Sequence, residues 1–305
     1  MRTTISILAA GLAIGAVLIG LPASVSAQPR ERELYVSILD KDKHAVTTTP
    51  QPQDLIVRED NVSREVLRIV PANDPIQIAL LVDNSQAATP AIQRMRDGLN
   101  GFLDRIANGK NEISIVTMAD RPTLMVDATT DADKLKKNGA NRLFAQPGAG
   151  TYMLESILET TKGFRKKESA RPVIVVLLTD GIEFSNQHYD EVLKALKDSG
   201  TELFVLQLTP GSDENSQVDA VRNRNIVIDR GTRETGGRRE NLLSEMSIPD
   251  TMASVADELL HQFKVTYGQP DRLIPPEKIT VEAKNPGWTA RGVPVRVREN
   301  RRESR

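Results

Sequence analysis

The sequence predicts an α/β fold, a doubly wound and mostly parallel sheet, with a small β domain built from the flanking N- and C-terminal segments. Three observations predict it. Between Ile76 and Tyr267, continuous apolar runs alternate with stretches of helical periodicity, as strands do when helices cover both faces of a parallel sheet. Two of these runs end in an aspartate, at Asp83 and Asp180. On either side lie short strand-like runs broken by turn residues, each flank too small to bury a core alone.

Residues 1–27 read as a signal peptide. Arg2 is the only charge, an apolar run extends from Ile5 to Leu21, and Val25 and Ala27 are small residues before a cleavage point. An uncleaved membrane anchor is the alternative, which the helix-breaking Pro22 disfavours. Residues 28–75 form an N-terminal β segment. Its strands fall at Leu34–Leu39, Asp54–Glu59 and Glu65–Val70, with a turn at Asp60-Asn61 and a linker at Pro71–Pro75.

The α/β domain spans 76–267. Ile76–Val82 is its first strand. Ile92, Met95, Leu99, Phe102, Leu103 and Ile106 recur at helical spacing, with Thr89 expected as N-cap and Pro90 at the first helical position. Strands follow at Glu112–Met118, at Thr123–Val126 on an edge, at Pro172–Leu178 and at Glu202–Leu208. Helices are expected around 131–138, 152–163, 188–198 (closed by Gly200) and 249–262. Residues 268–305 return to strands at Lys278–Ala283 and Val293–Val297 and end in a highly charged tail, Arg298–Arg305, expected to fray; the segment is expected to pack with 28–75. Trp288 is expected in that β core.

Composition narrows the function. The 40 Lys+Arg balance the 41 Asp+Glu, so no global positive field exists to hold nucleic acid. The chain has no cysteine, which excludes disulfides, thiolate metal sites and a cysteine nucleophile. With three histidines, a multi-His metal site needs most of them to converge. An exported chain without cysteine suits a bacterial periplasm or exterior. Lys134-Lys136-Lys137, Arg165–Lys167 and Arg238-Arg239 read as solvated faces.

The chemistry gathers at the strand ends. In strand order 3-2-1-4-5-6, the first and fourth strands are neighbours at the switch point where ligands bind. Asp83 and Asp180 then share one rim, and two close carboxylates resist ionising unless a cation separates them. Ser85 and Thr151 offer hydroxyl oxygens, and Gly148-Ala149-Gly150 allows a loop to approach closely. An all-oxygen site suits Mg²⁺ or Mn²⁺ better than zinc. Other uses stay open: Asp83 and Asp180 as helix caps, Thr151 as an N-cap, and Phe184, His188 and Tyr189 as a ligand-contacting rim or a cover over a helix start.

Asp83-Asn84-Ser85, Gly150-Thr151-Tyr152-Met153-Leu154 and Leu178-Thr179-Asp180-Gly181 resemble the three loops of the von Willebrand factor type A (VWFA) domain, over about residues 76–267. Glu234-Thr235-Gly236-Gly237 resembles a recurrent late segment of that fold, and the flanks are similar to secreted bacterial VWFA-related proteins. The resemblance implies a six-stranded Rossmann-like sheet and a metal-ion-dependent adhesion site (MIDAS). It implies that Ser85 and Thr151 bind the metal directly and that Asp83 and Asp180 act largely through water. The family's first loop reads Asp-x-Ser-x-Ser, but here its last position is Ala87, which offers no oxygen ligand.

Two functions are expected. The first is an exported, non-enzymatic binding module whose cation accepts a carboxylate from a protein partner; the resemblance adds coupling to movement of the last helix. The second is a metal-free structural scaffold of the cell envelope. Contact with a membrane is expected only if the signal peptide stays uncleaved. A hydrolase is disfavoured, because no Gly-x-Ser-x-Gly elbow, Walker loop or His-Glu-x-x-His occurs.

Overall fold

A computed structural model describes residues 30–208, 219–270 and 276–295. The segment 1–27 and the tail Arg298–Arg305 lie outside these residues. The described chain opens with β1 (Arg30–Leu39), β2 (Leu55–Glu59), β3 (Val62–Arg64) and β4 (Val66–Pro71). It then alternates: β5 (Gln77–Val82), α1 (Ile92–Ile106), β6 (Glu112–Thr117), β7 (Thr123–Thr129), α2 (Ala132–Asn138), α3 (Met153–Lys166), β8 (Pro172–Leu178), α4 (Tyr189–Ser199) and β9 (Glu202–Leu208). After the segment 209–218 come α5 (Asp219–Ile226), a π-helical stretch at Val227–Gly231, α6 (Thr232–Glu234), β10 (Arg239–Leu242) and α7 (Ile248–Leu260). β11 (Phe263–Gln269), β12 (Ile279–Ala283) and β13 (Thr289–Pro294) follow.

The six-stranded sheet runs β10-β9-β8-β5-β6-β7, which is the expected 3-2-1-4-5-6 order read from the other edge. Every pairing is parallel except β6–β7. Successive residues of each central strand enter opposite cores, following the two-residue period of a strand. Ile78, Leu80 and Val82 face α1 and α7, while Ala79 and Leu81 face α3 and α4. Val173, Val175 and Leu177 divide from Ile174, Val176 and Leu178 in the same way. Two covered faces explain why β8 is apolar throughout. Its Pro172 takes the first strand position, where a missing donor is tolerated.

α1 packs closely on α7. A Cβ on Gly98 would stand 2.9 Å from Ile248 Cγ2 and 3.2 Å from Met252 Cγ. The start of α1 differs from expectation. Gln86–Ala91 form a 3₁₀ turn containing Pro90, and Ala91 occupies the N-cap without a side-chain bond. Thr89 is not the cap: its hydroxyl donates back to the Gln86 carbonyl at 2.7 Å. Gly200 closes α4 with φ 64°.

The flanks form two further sheets, β13-β1-β11-β4 and β12-β2-β3. They bury a common core that includes Leu34, Val36, Val57, Phe263, Val265 and Tyr267, with Trp288 partly buried against it. β11, directly after α7, pairs with β1 and β4 rather than with the six-stranded sheet. Glu59 is fully buried there and accepts from Tyr267 Oη, Gln269 Nε2 and Arg64 Nε at 2.8, 2.8 and 2.9 Å.

A polar hub joins the two parts. Arg171 donates to the carbonyls of Ala72, Asp74 and Leu259 and to Gln262 Oε1. Gln262 Nε2 in turn reaches Ser37 Oγ and Glu202, each at 2.9 Å. Arg238, expected on a solvated face, is instead buried at 8% exposure. Its Nε lies 2.8 Å from Glu258 of α7, which supplies the charge that burial requires.

Candidate functional site

The parallel register of β5 on β8 sets Val82 beside Leu177, so the residues after both strands emerge at one rim. Asp83 follows β5 and is fully buried. Its Oδ1 accepts from Ser85 N and Thr151 Oγ1, both at 2.9 Å. Its Oδ2 accepts from Thr179 N at 3.1 Å and from the Thr179 hydroxyl. Asn84 pins the neighbouring loops: Oδ1 accepts from Ala119 N at 3.0 Å, and Nδ2 donates to the Phe144 carbonyl at 3.3 Å.

Thr151 is held as a bridge between Ala119 and Glu183. The glycines before it serve the expected close approach. Gly148 has φ 78° and donates to Gln86 Oε1 at 2.8 Å. A Cβ on Gly150 would strike the Phe184 ring at 2.1 Å.

Three oxygens converge next to Gly181. A Cβ there would lie 2.7 Å from Ser85 Oγ, 3.0 Å from Thr151 Oγ1 and 3.5 Å from Asp83 Oδ2. Ser85 Oγ is buried and has no hydrogen-bond partner. A buried polar atom left unpaired costs about 1–3 kcal/mol, and of the three converging oxygens Ser85 Oγ is the one without a hydrogen-bond partner. A carboxylate and two hydroxyls are hard donors, the set that fits a divalent cation of the Mg²⁺ or Mn²⁺ kind. Asp83, Ser85 and Thr151 are thus brought together. Asp180 is exposed, and its chain neighbours Thr179 and Gly181 both touch the cluster. Ala87 is exposed and adds no oxygen.

Three further participants were not expected at the site. Thr179 belongs to the Leu178–Gly181 loop, but its hold on Asp83 appears only when β8 lies beside β5. Glu183 is buried and accepts from Met153 N and Ser185 N at 3.1 and 3.3 Å, capping the start of α3. Burial pushes its carboxyl up to about 7, against lowering by the Ser185 contacts and Arg224. Arg224, in α5, is buried at 4% exposure and donates from Nη1 to the Gly181 carbonyl at 2.8 Å.

Exposed apolar side chains stand beside this cluster. Phe144, Ile182 and Phe184 are exposed at 64%, 64% and 52%. Arg96 lies over the Phe144 ring, 4.5 Å from its centroid. His188 caps α4, accepting from Asp190 N at 3.5 Å, and its ring stacks near Tyr189 at 4.3 Å. Among the described residues no helix is long and apolar enough to cross a membrane.

Residues 78–183 match the model of the von Willebrand factor type A domain. Among solved structures, the chain is similar to a von Willebrand factor type A protein from Catenulispora acidiphila, at 10% identity over 88% of this chain and 74% of that one, with a TM-score of 0.49. It is similar to the conserved hypothetical protein BatB from Bacteroides thetaiotaomicron, at 16% identity over 60% and 98% of the two chains, with a TM-score of 0.45. It is also similar to proximal thread matrix protein 1 from the mussel byssus with a zinc-occupied MIDAS motif, at 16% identity over 67% and 50%, with a TM-score of 0.50. No curated protein matches the sequence. The family match falls on the strands and loops that build the rim, and the α/β layer has the fold of a von Willebrand factor type A domain.

Proposed function

We propose that this chain is an exported, non-enzymatic binding module that engages a protein partner through a divalent cation at the sheet rim. Domains of this type are in general modules of protein interaction. The observation that carries the reading is Ser85 Oγ, buried without a partner and facing the same space as Thr151 Oγ1 and Asp83 Oδ2. Asp83, Ser85, Thr151 and Asp180 are the residues to hold Mg²⁺ or Mn²⁺. With few protein ligands, the cation supplies a Lewis-acid position that a partner carboxylate can occupy. Exposed Phe144, Ile182 and Phe184 offer apolar contact beside it. Export rests on Arg2, the run Ile5–Leu21 and the small residues Val25 and Ala27, which suit a bacterial periplasmic or extracellular protein.

A second reading, a metal-free scaffold of the cell envelope, is favoured by two observations. Ala87 stands where the family pattern has a hydroxyl, and the Asp83 carboxylate already accepts four hydrogen bonds from the protein. Thermal melts of the wild type and Ala87→Ser with Mg²⁺, Mn²⁺ or EDTA separate the two. The binding module requires a wild-type melt raised by either cation. A wild type that ignores both, beside an Ala87→Ser variant that responds, establishes the scaffold.

A further inference from the structure

Arg224 lies behind the rim, and the cation reading has no use for it. Its guanidinium donates to the carbonyl of Gly181, the residue whose missing side chain leaves room for the oxygen cluster. A permanent positive charge therefore stands one residue behind the wall of a candidate cation site, since a guanidinium does not deprotonate in proteins. Its Nε is buried with no partner. Burial acts foremost against its charge, with Arg239 adding to that, and the carboxylates of Glu183, Asp180 and Asp83 compensate in part. Glu183 Oε2 is likewise buried without a partner. Buried cations persist where negative charge offsets their desolvation. Two of these carboxylates, Asp83 and Asp180, are also the ones a divalent ion must use, whereas Glu183 caps α3.

We propose that Arg224 is a tethered counter-cation of the rim: it neutralises the site's carboxylates when no metal is bound and holds down the site's affinity for a divalent ion. The proposal rests on the cation reading above. Entry of the ion brings a double positive charge toward a fixed single one in a poorly screened interior, so the two repel. Loss of a hydroxyl at position 87 weakens the site further. An Arg224-neutralised state and a cation-loaded state then compete for the charge of Asp83 and Asp180, and the surrounding cation concentration decides between them.

The test is calorimetric titration of the full chain with Mn²⁺, comparing wild type, Arg224→Gln and Arg224→Lys, each checked for folding by circular dichroism. Arg224→Gln is expected to bind Mn²⁺ about tenfold more tightly than wild type, from the lost repulsion. Arg224→Lys keeps the charge but not the planar fork, and is expected to stay near the wild-type affinity. A residue that merely propped Gly181 would not sort the variants by charge. A folded Arg224→Gln with unchanged or weaker affinity, beside a wild type that binds, overturns the proposal and leaves the cation reading standing. If only Arg224→Gln binds, the counter-cation role stands and the cation reading of the wild type falls. If neither binds, both fall. Should Arg224→Gln not fold, the wild-type Arg224 Nε resonance serves instead: it is expected to shift along a Mg²⁺ titration with the midpoint of binding. A resonance that stays fixed while Mg²⁺ binds overturns the proposal.

Discussion

Gly181→Ala separates cation binding from folding where substitution of Asp83 cannot. Asp83 accepts from Ser85 N, Thr151 Oγ1, Thr179 N and Thr179 Oγ1 in a fully buried setting. Asp83→Ala strands these donors at about 1–3 kcal/mol each, a loss comparable with the whole net stability of a domain, about 5–15 kcal/mol. Such a variant reports unfolding whether or not a cation ever bound. Gly181→Ala adds one methyl, 2.7 Å from Ser85 Oγ and 3.0 Å from Thr151 Oγ1, inside the space those oxygens face. The backbone tolerates it, because Gly181 is not among the glycines of positive φ. Overpacking of this kind costs about 1–3 kcal/mol. A cation at 100 times its Kd stabilises the native state by about 2.7 kcal/mol, a rise in Tm of about 5–10 °C at about 2–4 °C per kcal/mol for a chain near this size. Melts in EDTA and in saturating Mn²⁺ are the assay. Wild type is expected to rise with Mn²⁺, and Gly181→Ala to melt slightly lower in EDTA and not respond. A Gly181→Ala variant with the full wild-type rise refutes the placement of the cation among these three oxygens.

Glu202 is buried in the hub, and burial foremost raises its carboxyl from 4.5 to about 7, with Glu258 adding to the rise and Gln262, Arg171 and Arg291 opposing it. The folded state holds this proton more tightly than the unfolded chain, so its contribution is full below about pH 4.5 and is lost as pH rises toward 7, about 3 kcal/mol in all. Urea melts at pH 5 and pH 8 should show a smaller difference for Glu202→Gln than for wild type; equal differences would count against the raised carboxyl. Glu258 pairs with Arg238 and Arg291 while only 1% exposed. Glu258→Ala should therefore cost about 3–5 kcal/mol in urea unfolding, and a loss below 1 kcal/mol would show that the pairs contribute little. Glycines give opposite signs. A Cβ on Gly237 would lie 1.9 Å from the Leu203 carbonyl oxygen, so Gly237→Ala should yield little folded protein, whereas Gly163 within α3 faces open space and Gly163→Ala should gain up to about 1 kcal/mol.

The central strands were legible because they are buried on both faces and so read as largely apolar runs; β8 and β9 fall on the residues expected. β10 escaped because Arg239-Glu240-Asn241-Leu242 is a short edge strand with one buried residue and no apolar rhythm. The chain from 219 to 234 escaped for a related reason: its helical turns carry mostly polar side chains, and its buried members include Arg224. Thr89 and Pro90 gave a true signal of an approaching helix, but the chain spends them on a 3₁₀ turn first. At the site, Asp83, Ser85 and Thr151 could be read from loop position alone. Thr179, Glu183 and Arg224 act through contacts that exist only once β5, β8, α3 and α5 have come together. Arg238 shows the limit of reading charge in one dimension: its partner Glu258 lies twenty positions on, across the fold.

The same contacts bear on how the rim could communicate with the flanks. β10 runs parallel to β9, so the turn leading into α7 lies at the rim end of the sheet, and Ile248 packs there against Gly98 of α1. At its other end α7 is held by Arg171, which donates to the Leu259 carbonyl at 2.9 Å. One residue before Leu259, Glu258 ties it to Arg238 before β10 and to Arg291 of β13. Beyond Gln262 the chain enters β11, hydrogen-bonded to β1 on one side and β4 on the other. Sliding α7 along its axis, the movement that the family resemblance associates with binding, therefore requires breaking buried ion pairs and dragging an interior strand out of register. In a strand, a shift of one residue turns every side chain to the opposite face, and Phe263, Val265 and Tyr267 all face the flank core. The flanking sheets thus anchor the helix against translation at the end far from the rim.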